Sequence, residues 1–474
     1  MVKNILFSLL VVVTLLGCSD DDKKYETIID GETEITYIPD DVFEEELIRL
    51  GYDDNKDNWV PTKNIKNVEI LDFEVTEQGP YIKDLKGLED FTSLKKLAFD
   101  GVELVTLDLS KNLSLEHLEI KRNWDERFFE NDRPKGNLVS IDISQNKVLE
   151  HLEIHRSSLS ELDISKNSAL KHLEIRKSNL KTLDITKNQA LEYLVAIGQL
   201  TSLDVSKNTE LTYLNCHFND LKELDIRRNT KITKLDCDYN ELSELDISMN
   251  KVLDTLWCGW NNLTDLDLSQ NTNLKFIHCK ANQFSKLDLS QNTELEFLEC
   301  SDNQLKSLDV SQNLLLEKLY CDNNQLNSID VSQNRKLITF YCDNNQLSSI
   351  DVSQNKELIN LRCGKNLLTS LDVSHNVNIE IVVCDNNQIR SLDFSQNPNL
   401  TEPFAMNNAL EVLNLKNGNN KNLGYESGVR ASAFRFVDNP NLTCIQVDDP
   451  IWAEENLAYW WFDEGVTFAE DCGY

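Results

Sequence analysis

Nine cysteines, Cys216, Cys237, Cys258, Cys279, Cys300, Cys321, Cys342, Cys363 and Cys384, follow one another at a constant interval of 21 residues. A register held over so many units belongs to a repeating backbone, because irregular loops would lose it within a step or two. Each cysteine closes an apolar stretch such as LEFLECSDNQL, Leu295 to Leu305, and a second stretch of the form KSLDVSQN follows. A chain of this kind folds as a stack of coils and not as a globule around a cleft. Its 474 residues therefore make one elongated domain, since a solenoid grows coil by coil and escapes the size limit of a compact core.

Within one coil the apolar residues are Leu295, Leu298, Cys300, Leu305, Leu308 and Val310, with asparagines at Asn303 and Asn313. Both halves read LxxLxLxxN. Alternation along each short strand turns the apolar side chains inward, and asparagine at each turn hydrogen-bonds backbone groups of its neighbours. One coil cannot cover its own open faces, so stability comes from stacking and both ends need caps. The ladder cysteines are odd in number and cannot all pair among themselves; they read as small buried hydrophobes. Metal ligation does not suit them, because ligands must converge while a ladder spreads them at about 4.8 Å per step.

This pattern resembles the bacterial leucine-rich repeat proteins, in particular the class with 21-residue repeats and an internalin-like architecture. The resemblance implies an α/β-type leucine-rich repeat solenoid: parallel β-strands stacked in a right-handed, largely β coil, with a helical N-terminal cap and a disulfide-closed C-terminal cap. The repeats are placed at 94–447, the N-terminal cap at 36–93 and the C-terminal cap at 448–474. The segment Tyr37 to Asn55 sets Val42, Phe43, Leu47 and Leu50 on one helical stripe after an Asp-rich start, as a cap helix requires. Two departures interrupt the register. The step from Asp184 to Asp204 is one residue short, and an insertion at about 121–137 carries Trp124, Phe128 and Phe129. Exposed aromatics there would suggest contact with a partner; otherwise they fold back on the solenoid.

The ends give the expected compartment. Lys3, an apolar run from Ile5 to Leu16 and small residues before Cys18 form a secretion signal over 1–17, too short for a stable transmembrane helix. The ending Leu15-Leu16-Gly17-Cys18 resembles the lipobox of bacterial lipoproteins, which implies acylation of Cys18. The acidic stretch Ser19-Asp20-Asp21-Asp22 within an 18–35 tether looks like the signal that sends Bacteroidetes-type lipoproteins to the outer surface. A lipid-anchored protein of the outer membrane, facing the cell exterior, follows as the expectation. In that oxidising compartment Cys444 and Cys472, 28 residues apart, are expected to form a disulfide. The 80 acidic and 47 basic residues give a net charge of -33, which opposes binding to nucleic acid or to anionic lipid.

Binding residues are expected in four columns of the strand half-coil: those just before the second leucine, just before the cysteine, and the two after it. These columns carry Tyr213, Phe218, Tyr239, Trp257, Trp260, Phe276, Phe297, Tyr320 and Tyr341, read as one nearly continuous aromatic strip. Ordinary cross-strand packing is the alternative reading of the same residues. Nearer the N-terminus the strands LEHLEI and LKHLEI stack His117, His151 and His172 beside Glu119, Glu153 and Glu174, the best metal candidate in the chain but a weak one, since in-line spacing suits hydrogen bonding better than tetrahedral ligation. The same coils carry Arg122, His155, Arg156, Arg176 and Lys177, while later coils place Asp238, Asp322, Asp343 and Asp385 after cysteine. The face is thus expected to run from basic through aromatic to acidic.

The opposite half-coil repeats Asp before its last apolar residue, from Asp108 and Asp142 through Asp225, Asp267, Asp309 and Asp351 to Asp393. The sequence DxSxN lets Asp accept local hydrogen bonds, a structural role; calcium would find too few oxygen ligands at each step. No phosphate loop, zinc-protease helix or nucleophile elbow occurs, so neither a catalytic site nor a cofactor is expected. The resemblance implies protein-protein recognition, with a partner on a host, a neighbouring cell or the same envelope. Glycan capture by the aromatic strip is the alternative.

Overall fold

The computed structural model describes residues 28–30, 33–74, 81–100, 103–121, 138–423, 425–426, 429–430, 436–456 and 462–473. Its frame is one 16-stranded sheet, with a strand from almost every coil, running from Ile70–Glu74 to Glu402–Phe404. All neighbours in it are parallel and in register: His151 pairs with His172, Leu152 with Leu173 and Ile154 with Ile175. At the short step the pairing is Tyr193 with Tyr213, so the ladder absorbs the missing residue outside the strand.

The core is a set of columns running the length of the stack. Leu295, Leu298, Cys300, Leu305, Leu308 and Val310 are all buried, as alternation requires. The nine ladder cysteines are buried and unpaired, and burial pushes their thiols far above the ordinary range, which leaves them apolar and inert. Asparagine columns lock the turns. Asn303 donates through Nδ2 to the carbonyls of Cys279, Cys300 and Ser301, while its Oδ1 accepts from the backbone N–H of Phe284. In the other turn Asn313 donates to the carbonyls of Leu289 and Asn292. Each asparagine therefore ties its coil to the one before it.

The second half-coil differs from the expected strand. Pairing there is confined among the described residues to Thr106–Asp108 with Ser140–Asp142 and to a four-stranded sheet from Ser391–Asp393 to Thr467–Ala469. Between them no strand pairing occurs among the described residues; Asp309 Oδ1 takes the Ser311 N–H at 2.9 Å, and its equivalents do the same in the other coils, the paired ones included. The Asp row is thereby a set of turn locks, and these hydrogen bonds hold the carboxyls of Asp267, Asp309 and Asp351 below their ordinary value.

Helices occur only at the two ends of the described chain. The N-terminal helix Asp41–Arg49 starts on Asp40, whose side chain accepts from the Val42 and Phe43 N–H groups, and it buries Phe43 and Leu47; Val42 and Leu50 are partly buried against the same core. A three-stranded sheet, Ile28–Asp30, Thr33–Tyr37 and Trp59–Pro61, flanks it. At the other end Pro450–Asn456 is helical, and Cys444 and Cys472 are joined by a disulfide. No described helix is long and apolar enough to cross a membrane. Cys18, the secretion signal, Arg122, and Trp124, Phe128 and Phe129 of the insertion lie outside the described residues.

Candidate recognition face

Side chains on the outer side of the 16-stranded sheet repeat at the coil spacing, so like residues in successive coils meet face to face. In the first outward column His117, His151, His172, Tyr193 and Tyr213 form one stack. Centroid separations along it are 3.9, 4.0, 4.2 and 4.5 Å and ring planes diverge by no more than 14°. Tyr193 was invisible to a reading anchored on cysteine, because its coil carries Ala196 in the cysteine place; the shared column with the histidines is the signal that finds it. Burial pushes the Tyr193 hydroxyl up to about 12.

The glutamates behind the histidines are occupied. Glu119 meets His117 and the Lys121 ammonium; Glu153 accepts from His151 at 2.8 Å and pairs with Lys121 at 2.9 Å; Glu174 accepts from His155 at 2.7 Å and Arg176 at 2.5 Å. Burial alone would raise the Glu153 carboxyl, but His151, His172 and Lys121 hold it far below the carboxylate range. Burial lowers His117, which favours the neutral ring. Groups such as His151, Glu153 and His172 bring potential ligand atoms within 4.8 Å of one another. His151 Nε2 and His172 Nε2 both face Glu153 Oε1, at 2.8 and 3.4 Å, so a carboxylate oxygen fills the place the two rings share and the ladder is held by hydrogen bonds.

The nine aromatic residues do not form one continuous strip. Tyr213 ends the histidine stack. Phe218, Tyr239 and Trp260 make a separate parallel stack in the turn, at 4.2 and 4.3 Å. Phe276, Phe297, Tyr320 and Tyr341 form a third group with tilted and edge-on contacts of 4.9 to 6.4 Å. Trp257 stands between the groups and is 45% exposed. The break is geometric: Trp257 and Tyr239 lie in different columns, so the adjacency of their coils does not bring their rings together.

The columns flanking the cysteine are also less exposed than alternation suggests. Asn215 and Asp236 before it, and Asp238 and Ser301 after it, are buried. Asp238 accepts from the Gly259 N–H and lies 2.9 Å from His278 Nδ1, two coils away. That reach requires Gly259, where a Cβ would stand 2.7 Å from the His278 ring. Asp343 accepts from the Gly364 N–H and Asp385 from the Met406 N–H. Much of the acidic end is therefore spent on backbone donors of the next coil, and burial pushes Asp343 up to about 6.

The parallel sheet, the cysteine column and the coil repeat have a counterpart among solved structures. The functional domain of InlJ from Listeria monocytogenes, which includes a cysteine ladder, is 29% identical, with a TM-score of 0.57, covering 88% of this chain and 78% of that one. This chain is an internalin-like leucine-rich repeat solenoid. No protein-family model matches its sequence, nor does any curated protein. A leucine-rich repeat protein from Leptospira interrogans shares the fold at 20% identity and a TM-score of 0.63, covering 85% of this chain and 97% of that one. The plant peptide hormone receptor RGFR1 in complex with RGF2 shares it at 16% identity and a TM-score of 0.53, with 81% and 69% covered. The InlJ likeness accounts for the nine buried cysteines of this leucine-rich repeat solenoid as a ladder inside the stack.

Proposed function

We propose that this leucine-rich repeat protein is a non-enzymatic recognition module that binds another protein through the outer face of its 16-stranded sheet. The observation that carries the reading is exposed aromatic area on a rigid frame: Phe218, Tyr239, Trp257 and Phe276 are 52, 37, 45 and 39% exposed within four consecutive coils. Large rigid side chains lose little entropy on contact and dominate interface energetics. A solenoid of the same fold in the plant receptor holds RGF2, which lends the reading support. Adhesion to a host or neighbouring cell belongs to this proposal, as does anchoring through an acylated Cys18 at the outer membrane.

The test is capture from surface-protein extracts, with the retained proteins identified, by the full chain and by a variant carrying Trp257→Ala and Trp260→Ala. A protein held by the first and lost by the second, with unchanged melting of the variant, supports the reading; equal retention rules this face out. Capture of a glycan instead would move the function to carbohydrate binding. Separately, Cys18→Ala should shift the protein from the membrane to the soluble fraction, and persistence on the membrane would refute lipid anchoring.

A further inference from the structure

The turn after the N-terminal helix is dense in carboxylates, and two of them are buried with one oxygen each left over. Glu44, in the helix Asp41–Arg49, is 0% exposed, and Asp53, just beyond that helix, is 8% exposed. Glu44 Oε1 accepts from the Asp57 and Asn58 N–H groups, which sets the carboxylate head against the turn. Asp53 Oδ1 accepts from the Asp54 N–H at 2.9 Å. Glu44 Oε2 and Asp53 Oδ2 are buried and meet no donor, and no other carboxylate oxygen among the described residues is in that position. Buried oxygens of this kind are costly, so a folded chain that keeps two of them side by side has something to put there, a proton or a cation.

The chain's own cations do not reach them. Lys56 is engaged by Glu45 at 2.7 Å and Asp41 at 3.2 Å, and Arg49 by Glu46 at 2.8 Å. Burial pushes both carboxyls up, and neighbouring carboxylates add to it, Asp53 and Asp57 at Glu44, and Asp57 and Asp54 at Asp53.

The order of oxygens along the turn fits a metal. Asp53, Asn55 and Asp57 alternate, Asn58 follows at a φ of 70°, and then comes the short strand Trp59–Pro61. Oxygen side chains at the first, third and fifth places, a sharp turn at the sixth and a main-chain carbonyl at the seventh are how a loop after a helix wraps calcium. A second short helix, Thr62–Ile65, closes the frame. One place departs from that order: the twelfth is Asn64, which donates to the Tyr52 carbonyl at 2.9 Å, so the further acid comes from Glu44 in the preceding helix. The donors are all oxygen, which favours a hard cation over zinc or copper. Magnesium demands a regular octahedron, whereas calcium accepts an irregular set completed by water.

We propose that the N-terminal cap holds one calcium ion between the helix Asp41–Arg49 and the turn at 53–58, with Glu44 Oε2 and Asp53 Oδ2 as its charged ligands. Asn55 donates to Asp57 Oδ2 at 3.0 Å, which leaves its own Oδ1 to the shell, and water supplies the rest. The helix packs Phe43 and Leu47 into the core, and the turn leads directly into the strand that pairs with Thr33–Tyr37. The ion thus joins the elements that close the first coil; it stabilises the cap and takes no part in the recognition face.

The test is calcium titration of the full chain, stripped of metal by a chelator and read by calorimetry and thermal melting. One ion per chain should bind, and the melting temperature should rise in millimolar calcium. Glu44→Gln and Asp53→Asn keep shape and lose charge; each should bind calcium about tenfold or more weakly. In chelator both should melt no lower than the unaltered chain, because an unpaired buried charge has gone. Asp309→Asn, in the acidic row of the coils, should leave the affinity unchanged. Terbium luminescence excited through tryptophan should fall in Trp59→Phe, and a signal that ignores this change places the ion elsewhere and overturns the site. Equal calcium affinity in the Glu44→Gln, Asp53→Asn double variant does the same. The unaltered chain decides the matter without any variant: melting that is the same in calcium and in chelator overturns the proposal and leaves the two oxygens sharing a proton.

Discussion

At the scale of the residue, three side chains carry the logic of the coil. Asn313 is fully buried and spends its amide on two carbonyls of the preceding coil, so Asn313→Asp, which cannot donate, should cost about 2 to 6 kcal/mol by leaving both unsatisfied. Urea unfolding reads this directly. Cys300 is buried with only its own carbonyl-directed S–H contact to Tyr320, and Cys300→Ser should destabilise by about 1 to 3 kcal/mol because a hydroxyl is harder to bury than a thiol. No loss in the same assay would mean that the ladder tolerates a polar atom. Asp343 adds a pH dependence. Burial raises its carboxyl from 3.8 to about 6, so the folded chain keeps a proton that the unfolded chain has already released. Stability therefore falls as pH rises from about 4 to about 6, and Asp343→Asn should flatten that part of the profile. A variant with the unaltered slope would place the titration elsewhere.

At the scale of the element, the ends decide whether the stack survives. Asp40 serves twice: one carboxylate oxygen caps the helix Asp41–Arg49 and the other accepts from the Lys83 and Asp84 N–H groups, binding the cap to the segment that enters the first coils. Asp40→Ala should lower stability by about 1 to 2 kcal/mol or more, since helix cap and docking contact are lost together. At the far end the Cys444–Cys472 bridge closes a loop of 28 residues, and replacing both cysteines by alanine should cost about 3 to 4 kcal/mol on the chain-entropy account. Melting of the unaltered chain with and without reductant gives the same comparison. The nine ladder thiols, buried and inert, should leave that result unchanged.

At the scale of the molecule, a solenoid holds together through contacts between neighbouring coils, so a weak junction is felt locally. The short coil is such a junction. Asn219 in the next coil donates to the carbonyls of Ala196, Cys216 and His217, while the short coil has no asparagine of its own in that turn. Amide hydrogen exchange in the turn around 198–201 should therefore exceed that in the matching turns around 240–242 and 261–263. Equal protection would show that the missing residue carries no energetic cost. The first outward ring column runs across this junction through Tyr193 and Tyr213, while the paired Glu119, Glu153 and Glu174 lie on one side of it and the stack of Phe218, Tyr239 and Trp260 on the other.

The sequence alone determined the coil. Its 21-residue period, the inward columns and the burial of the cysteines follow from alternation and repetition, which are local properties summed along the chain. The end disulfide was legible too, from two cysteines left outside the ladder. The asparagine locks were visible as a pattern. Only the tertiary structure decided which rings meet, because stacking depends on the column a residue occupies and on the side-chain direction within it. It split nine aromatic residues into three groups, set Trp257 apart, and brought Tyr193 into line with the histidines. It likewise turned the acidic row inward, since a carboxylate beside an unpaired N–H of the next coil gains more from that bond than from facing water. One residue fewer in the sequence is a change of register; in the stack the strands still pair, Tyr193 with Tyr213, because the shorter turn takes up the difference.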